Sequence, residues 1–419
     1  MKNIQKIIIL IIIISFLSCN STVNKTVEIE KEEITKFENI FKDLKEYLAK
    51  ENGKLWNHHL YGPLLFVNQD NRTIIANEKD TKGILTKNGE IYTGILPNEI
   101  NIANTAFDWN GKRWTMLMLP LPEDYNERLN LLIHELFHRI QPELGFVNLI
   151  EKQSNHLDDL NGRIFLKLEL EALRSALMSD GETTKQKHIQ NALLFRNYRY
   201  KLYSGAKENE NTLELNEGIA EYTGSILSNR TDEKLKEHYV QMINNFYNNH
   251  TFVRSFAYIT MPVYGYFIYL KNDSWNKEIS NSTNLTDYIS GFFNISIPTD
   301  LIETINAIKG DYSFEEIESF EVNRDNELKK LIAEYETKFL TNPTLTIQFE
   351  NMKISFDPRN IMPLKNLGTV YPNLRISDNW GILTVENGAL LSNNWDKVTV
   401  SEPAKTNDNI IEGDCWKLE

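Results

Sequence analysis

The run His134-Glu135-Leu136-Phe137-His138 constrains this chain more than any other stretch. It reads H-E-x-x-H. On an α-helix, residues i and i+4 stand one above the other, so two imidazoles at this spacing share a face and can hold one metal ion through ring nitrogens. The Glu between them can reach a metal-bound water and act as a general base. The flanking residues predict the helix, because Leu129, Leu132, Ile133, Leu136 and Ile140 keep a helical period. Pro122, Glu123 and Asp124 suit a first turn, where acids complement the dipole, and Pro142 marks a stop. The helix is therefore expected over 122–141. The competing reading is a helix whose two His merely cap a core face, since the motif fixes only three positions.

A catalytic zinc takes three protein ligands and leaves a position open. The metzincin extension of the motif needs Gly at 141 and His at 144, and the chain has Gln141 and Leu144. The other common donor is a carboxylate from a second helix. The best candidate stretch is Leu213-Glu214-Leu215-Asn216-Glu217-Gly218-Ile219-Ala220-Glu221-Tyr222-Thr223-Gly224. Glu217 and Glu221 share a face there, and a metal between the helices would offset their repulsion. Gly218 and Ala220 are small enough to let another backbone approach. Glu171, on a helix expected over Leu157–Met178, is the rival donor. The plainer readings are a solvated helix face for Glu217 and an ordinary surface acid for Glu171.

The pairing of HELFH with a downstream NEGIAEY helix resembles the gluzincins, the thermolysin-like and aminopeptidase-like zinc peptidases. The resemblance covers the two motifs and their order. It implies one Zn²⁺ per chain held by His134, His138 and Glu217, with Glu135 as the catalytic base. Glu221 then matches the acid that hydrogen-bonds a ligating His and fixes its tautomer. Glu217 lies 79 residues after His138, a long gap that implies an inserted helical pair. Enzymes of this kind place a Tyr or His near the developing oxyanion. In the aminopeptidase-like branch a Tyr-x-x-Gly helix does this. Tyr258 takes the matching position, although Met261 stands where Gly is expected, and Tyr264 before Gly265 comes second. An aromatic-rich apolar helix buried in the core is the plainer reading of both. No Gly-x-x-Glu-Asn motif, which binds a substrate amino terminus in that branch, precedes the HELFH helix, and this weakens an exopeptidase reading.

The chain opens with a short basic stretch, Met1–Lys6, and an apolar run of eleven residues from Ile7 to Leu17, broken only by Ser15. That run is too short to span a bilayer and suits a signal peptide. Ser18-Cys19 closes it and resembles the bacterial lipobox, which implies cleavage and lipid on Cys19, with plain secretory cleavage as the alternative. Asn20 after the Cys implies sorting to the outer membrane by the same resemblance. The expectation is an exported cell-envelope protein whose membrane partner is its own lipid. Cys415 is the only other Cys, so a lipidated Cys19 leaves no intramolecular disulfide. The net charge of −13 disfavours binding to nucleic acid or to anionic membranes through the protein surface.

The domain organisation follows from composition and period. Residues 1–19 form the signal peptide and lipobox, and 20–50 a polar tether and an amphipathic helix with Ile34, Phe37, Ile40, Phe41, Leu44 and Leu48 on one stripe. A zincin-like region covers 51–341. Within it an antiparallel sheet is expected over 60–119, with strands at Leu64–Val67, Arg72–Ala76, Ala103–Asp108 and Lys112–Leu119, and a hairpin at Asn110-Gly111. Zincins resemble this order of sheet and then active-site helix, and Thr115–Leu119 is the expected edge strand for an extended substrate. Residues 157–340 read as about seven helices. One of them carries Arg196–Tyr203, basic and aromatic, expected to snorkel from an amphipathic face rather than to contact substrate. Residues 342–419 read as a small β-sandwich or barrel, a spacer or an accessory binding module, with a hairpin turn at Glu386-Asn387-Gly388. The fold class is α+β: a zincin-like region with a small all-β C-terminal domain.

The functional expectation is a lipid-anchored zinc peptidase acting on peptide or protein substrates. Two alternatives stay open. The same machinery could cut a non-peptide bond, or the chain could be a surface-binding lipoprotein with a structural or vestigial zinc site. The intact Glu135 weighs against the last, because a structural site needs no base.

Overall fold

The computed structural model describes residues 30–356, 361–364, 366–407 and 410–419. The signal peptide, Cys19 and the tether up to residue 29 lie outside them. The protein is a mixed α+β chain, and it forms two compact units, one built from residues up to 50 and 61–121, the other from 51–60 and 122–419. Among the described residues no helix is long and apolar enough to cross a membrane.

In the first unit, helix α1 (Lys31–Glu51) buries Phe37, Phe41, Leu44 and Leu48, the heart of the stripe read from the sequence. The strands are β1 (Leu64–Asn68), β2 (Thr73–Ala76), β3 (Thr86–Asn88), β4 (Ile91–Ile95), β5 (Thr105–Trp109) and β6 (Lys112–Leu119). They form one sheet in the order β3-β4-β2-β1-β6-β5, antiparallel except for β1 beside β6. Successive residues of β1 serve opposite faces. Phe66 stacks on Phe41 of α1 with ring centroids 4.9 Å apart, while Leu65 and Val67 join Ile74, Trp109, Trp114 and Met116 on the other side. Both faces are covered, which is why β1 reads as an unbroken apolar run. Asn110-Gly111, both at positive φ, turn β5 into β6 as expected. The edge assignment does not hold. Thr115–Leu119 lies inside the sheet, hydrogen-bonded to β1 on one side and β5 on the other, and the edges are β3 and β5.

The second unit begins with α2 (Tyr125–Ile140), the HELFH helix. It starts later than the sequence suggests. Asp124 is its N-cap, with a side-chain oxygen accepting from the Glu127 amide at 2.9 Å, so Pro122 and Glu123 precede the helix. Nine α-helices follow among the described residues, more than the expected seven: α3 (Leu160–Leu177), α4 (Glu182–Leu202), α5 (Ala206–Leu213), α6 (Ile219–Ile226), α7 (Asp232–Phe246), α8 (Ala257–Tyr269), α9 (Leu285–Phe292), α10 (Leu301–Ile308) and α11 (Phe314–Glu336). The snorkelling reading of Arg196–Tyr203 is overturned. Arg196 and Arg199 are 0 % exposed and face inward, each bridging two buried carboxylates.

The C-terminal strands are β7 (Thr344–Gln348), β8 (Lys353–Phe356), β9 (Met362–Pro363), β10 (Thr369–Tyr371), β11 (Leu374–Asp378), β12 (Gly381–Val385), β13 (Ala389–Leu391), β14 (Lys397–Ser401), β15 (Pro403–Asn407), β16 (Ile410–Gly413) and β17 (Trp416–Leu418). They make two sheets, β7-β14-β13-β10-β9 and β15-β16-β17-β12-β11-β8. A shared core of Ile376, Leu383, Val385, Leu391, Val398, Val400 and Trp416 draws on both, as in a sandwich. Glu386-Asn387-Gly388 is not a hairpin turn. It carries the chain from β12 in one sheet to β13 in the other. Gly388 has φ +84°, and a Cβ there would lie 2.6 Å from the Tyr335 ring of α11, so the crossing is open only to glycine.

Candidate metal centre

Three elements build the centre: α2, the helical stretch from α5 to α6, and α8. The second of these is continuous but uneven. Between α5 and α6, Glu214–Gly218 forms a π-turn, in which the Ile219 amide reaches back five residues to the Glu214 carbonyl. A wider turn separates the directions of residues three apart. Glu214 points to Arg196 at 2.7 Å, whereas Glu217 points to the imidazoles of α2. Glycine permits the close packing on both sides. A Cβ on Gly224 would lie 2.6 Å from the Asn130 carbonyl oxygen and 3.3 Å from the His134 Cβ on α2. One on Gly218 would lie 2.6 Å from the Met261 Cβ on α8.

His134, His138 and Glu217 come together as a group able to hold a metal ion, with one ligand atom from each lying within 4.8 Å of the others. The two imidazole Nε2 atoms are 3.2 Å apart, and Glu217 Oε2 lies 3.3 Å from that of His138 and 3.7 Å from that of His134. The outer nitrogens are held from behind. His134 Nδ1 is 2.8 Å from Glu221 Oε2, an acceptor, so Nδ1 carries a proton and donates it. His138 Nδ1 is 2.8 Å from Gln141 Oε1. The orientation of that amide is fixed, because its nitrogen donates to the carbonyls of Leu215 and Asn216 at 3.2 and 3.0 Å. In the neutral rings both Nε2 lone pairs therefore face the centre, the arrangement that ligation requires. Glu221 is itself held by the Asn130 amide at 2.9 Å. Two neutral imidazoles and one carboxylate, each oriented by a second group, fit zinc by donor chemistry.

The charges at the centre are strongly coupled. Burial would lower the His134 pKa, but hydrogen bonds to Glu217 and Glu221 outweigh it and push it up to about 10 in the metal-free protein. Burial would raise Glu217, and its bonds to His134, His138 and Tyr258 hold it far below the usual carboxylate range. A metal held there would take the place of a proton on this pair. Glu135 is 6 % exposed, and its pKa is raised, chiefly by burial and against the pull of His134 and His138.

Tyr258 on α8 donates its hydroxyl to Glu217 Oε2 at 2.6 Å, and its ring stacks on His134 with centroids 5.6 Å apart. The small residue that lets its helix approach is Gly218 on the facing element, so Met261 at the expected Gly position is no obstacle. Tyr264 is elsewhere: its hydroxyl donates to Glu169 at 3.1 Å in the buried ion-pair cluster. Glu171 is also away from the centre, bonded to Arg174 at 2.5 and 3.0 Å and to the Tyr247 hydroxyl at 2.8 Å. Three participants escaped the sequence reading. Gln141 lies three residues beyond His138 and Asn130 one turn before His134, and helical spacing was their only signal. Arg254 lies in the turn before α8, where the sequence carried no signal for it. Compared with known proteins, the chain matches no family model, no curated protein and no solved structure.

Proposed function

We propose that this chain is a zinc-dependent peptidase of gluzincin type, acting on peptides or proteins, with one Zn²⁺ held by His134, His138 and Glu217. The observation that carries the reading is the convergence of these three donors beside Glu135, which follows the first of them on α2. Among the described residues the group has three protein donors, which suits a catalytic site more than a closed structural one. A zinc ion held there supplies Lewis acidity and makes water a stronger acid.

The chain's own groups do the rest. Glu135 takes the proton of the attacking water and returns it to the leaving amine. Its raised pKa favours a carboxylate able to hold that proton between the two steps. Tyr258, whose hydroxyl lies beside the group at Glu217, would offer it to the carbonyl oxygen as charge develops there. Glu221 and Gln141 keep the two imidazoles in the ligating tautomer. Following the lipobox resemblance, the enzyme works in the cell envelope, anchored through Cys19.

The test is hydrolysis of a library of unstructured peptides, with matched esters and amides beside them. Zinc-loaded protein is expected to cut peptides, chelation to abolish cutting, and added zinc to restore it. Activity on esters alone would move the assignment to a non-peptide bond, and activity indifferent to chelation would remove zinc from the account.

A further inference from the structure

We propose that Arg254 recognises a carboxylate of the substrate, in the groove that opens beside Tyr258. The proposal rests on the peptidase reading for the statement that its ligand is a peptide.

The groove has a volume of about 480 Å³ and runs between α7, the turn after it and the start of α8. Met242 and Phe246 give it an apolar wall, Asn245 and Asn249 give it amides, and Arg254 is the one cation among its lining residues. Tyr258 lines the same groove and touches both His134 and Glu217. The groove and the candidate metal centre therefore share Tyr258, which lines the one and touches the other.

Arg254 is fixed in place but not consumed. One guanidinium nitrogen donates to Glu151 on the loop after α2, and another lies 3.4 Å from Glu217 Oε1. Glu151 is held in turn by the Asn216 amide at 2.6 Å. These contacts engage two of the five N–H donors of the fork, and the side chain is 60 % exposed. What remains is an oriented, solvent-facing set of donors within a few ångströms of a proposed metal ligand. Its surroundings are acidic: Glu135, Glu151, Glu217 and Glu221 all lie on the neighbouring elements. Without Arg254 this mouth would repel an anionic substrate. With it, a carboxylate meets a planar fork suited to bidentate binding. Two sources share that chemistry, the free carboxyl terminus of a peptide and an Asp or Glu side chain.

Binding and turnover are read separately. The binding probes are three N-acetylated tetrapeptides: neutral with a free carboxyl terminus, neutral with an amide terminus, and amide-terminated with one Glu. They are titrated into zinc-loaded Glu135→Gln protein, which keeps the ligand intact, and into the same protein carrying Arg254→Gln or Arg254→Lys. At least one carboxylate-bearing peptide is expected to bind about tenfold or more tightly than the neutral amide. Arg254→Gln should erase that preference at unchanged zinc content, and Arg254→Lys should keep part of it. The peptide that wins identifies the source as the terminus or a side chain. Equal binding of all three, no binding, or a preference that survives Arg254→Gln overturns the proposal. So does an Arg254→Gln variant that loses zinc and all three ligands alike, which would make Arg254 a positioning residue for Glu217. Wild-type cleavage in parallel separates the two readings. An Arg254-dependent preference without cleavage of any peptide removes the peptidase and leaves the subsite. Cleavage of the neutral amide as fast as its carboxylate partners removes the subsite and leaves the peptidase.

Discussion

Replacing Glu135 with Gln is expected to leave zinc binding intact and to lower kcat/KM on peptides by about a hundred- to ten-thousand-fold, the range of a lost general base. The reason is a division of labour on α2. His134 and His138 belong to the metal group, whereas Glu135 does not. Gln has nearly the shape of Glu but cannot accept and return a proton, so metal content and unfolding behaviour should match wild type. The pH profile offers a companion reading. The mechanism needs Glu135 ionised, so activity should fall as pH drops through its pKa in the zinc-loaded protein, and the acid limb attributable to Glu135 should vanish in the variant. Full activity in Glu135→Gln would sink the mechanism.

Arg196→Met is expected to cost about 3–5 kcal/mol of stability, because it removes one partner from a buried ion-pair cluster. Arg196 donates to Glu169 at 2.7 Å, to Glu214 at 2.7 and 3.0 Å and to Thr286 at 3.3 Å, and all four side chains are buried. Glu169 would keep Arg199 at 2.8 Å. Glu214 would keep only the Thr260 hydroxyl at 2.5 Å, leaving a buried carboxylate without a cation. Burial already raises the Glu214 pKa against the pull of Arg196, so the variant should take up a proton there, which places the loss nearer the lower figure. Adding Glu214→Gln to Arg196→Met should recover much of it, because the unpaired charge is gone. Denaturant unfolding of the single and double variants checks this, and a single-variant loss under about 1 kcal/mol would contradict it. The cluster bears on the centre through position. Glu214 opens the π-turn that holds Glu217, so zinc affinity should weaken along with stability.

What the sequence showed of this centre was whatever helical periodicity carries. HELFH and NEGIAEY each place two candidate side chains four residues apart, and the structure brings the pairs together: Glu217 faces both imidazoles and Glu221 holds His134 from behind. Gly218 was visible as a small residue, but which backbone it admits depends on helix packing, and the close approach at Gly224 was not foreseen. The π-turn left no trace, since Glu214 to Gly218 reads as ordinary helix. Arg196 and Arg199 were misplaced because their buried partners, Glu169, Glu210 and Glu214, lie on three separate elements. In the first unit the hairpin of β3 and β4 went unread although Gly89 in its turn has φ +66°, because β3 is three polar residues that pass as loop. The edge strand was misjudged for a different reason. Strand order depends on which strands pair, and β1 beside β6 is a parallel pairing between segments distant in sequence.

The central claim is that His134, His138 and Glu217 hold a metal, and it is tested most directly by the metal content of the chain from Asn20 onward. Wild type should carry one zinc per chain, Glu217→Ala should lose it, and Glu171→Ala should keep it, because Glu171 is bound to Arg174 and Tyr247 away from the centre. A wild-type protein that takes up no zinc even when zinc is supplied, or a Glu217→Ala protein that retains it, would contradict the account.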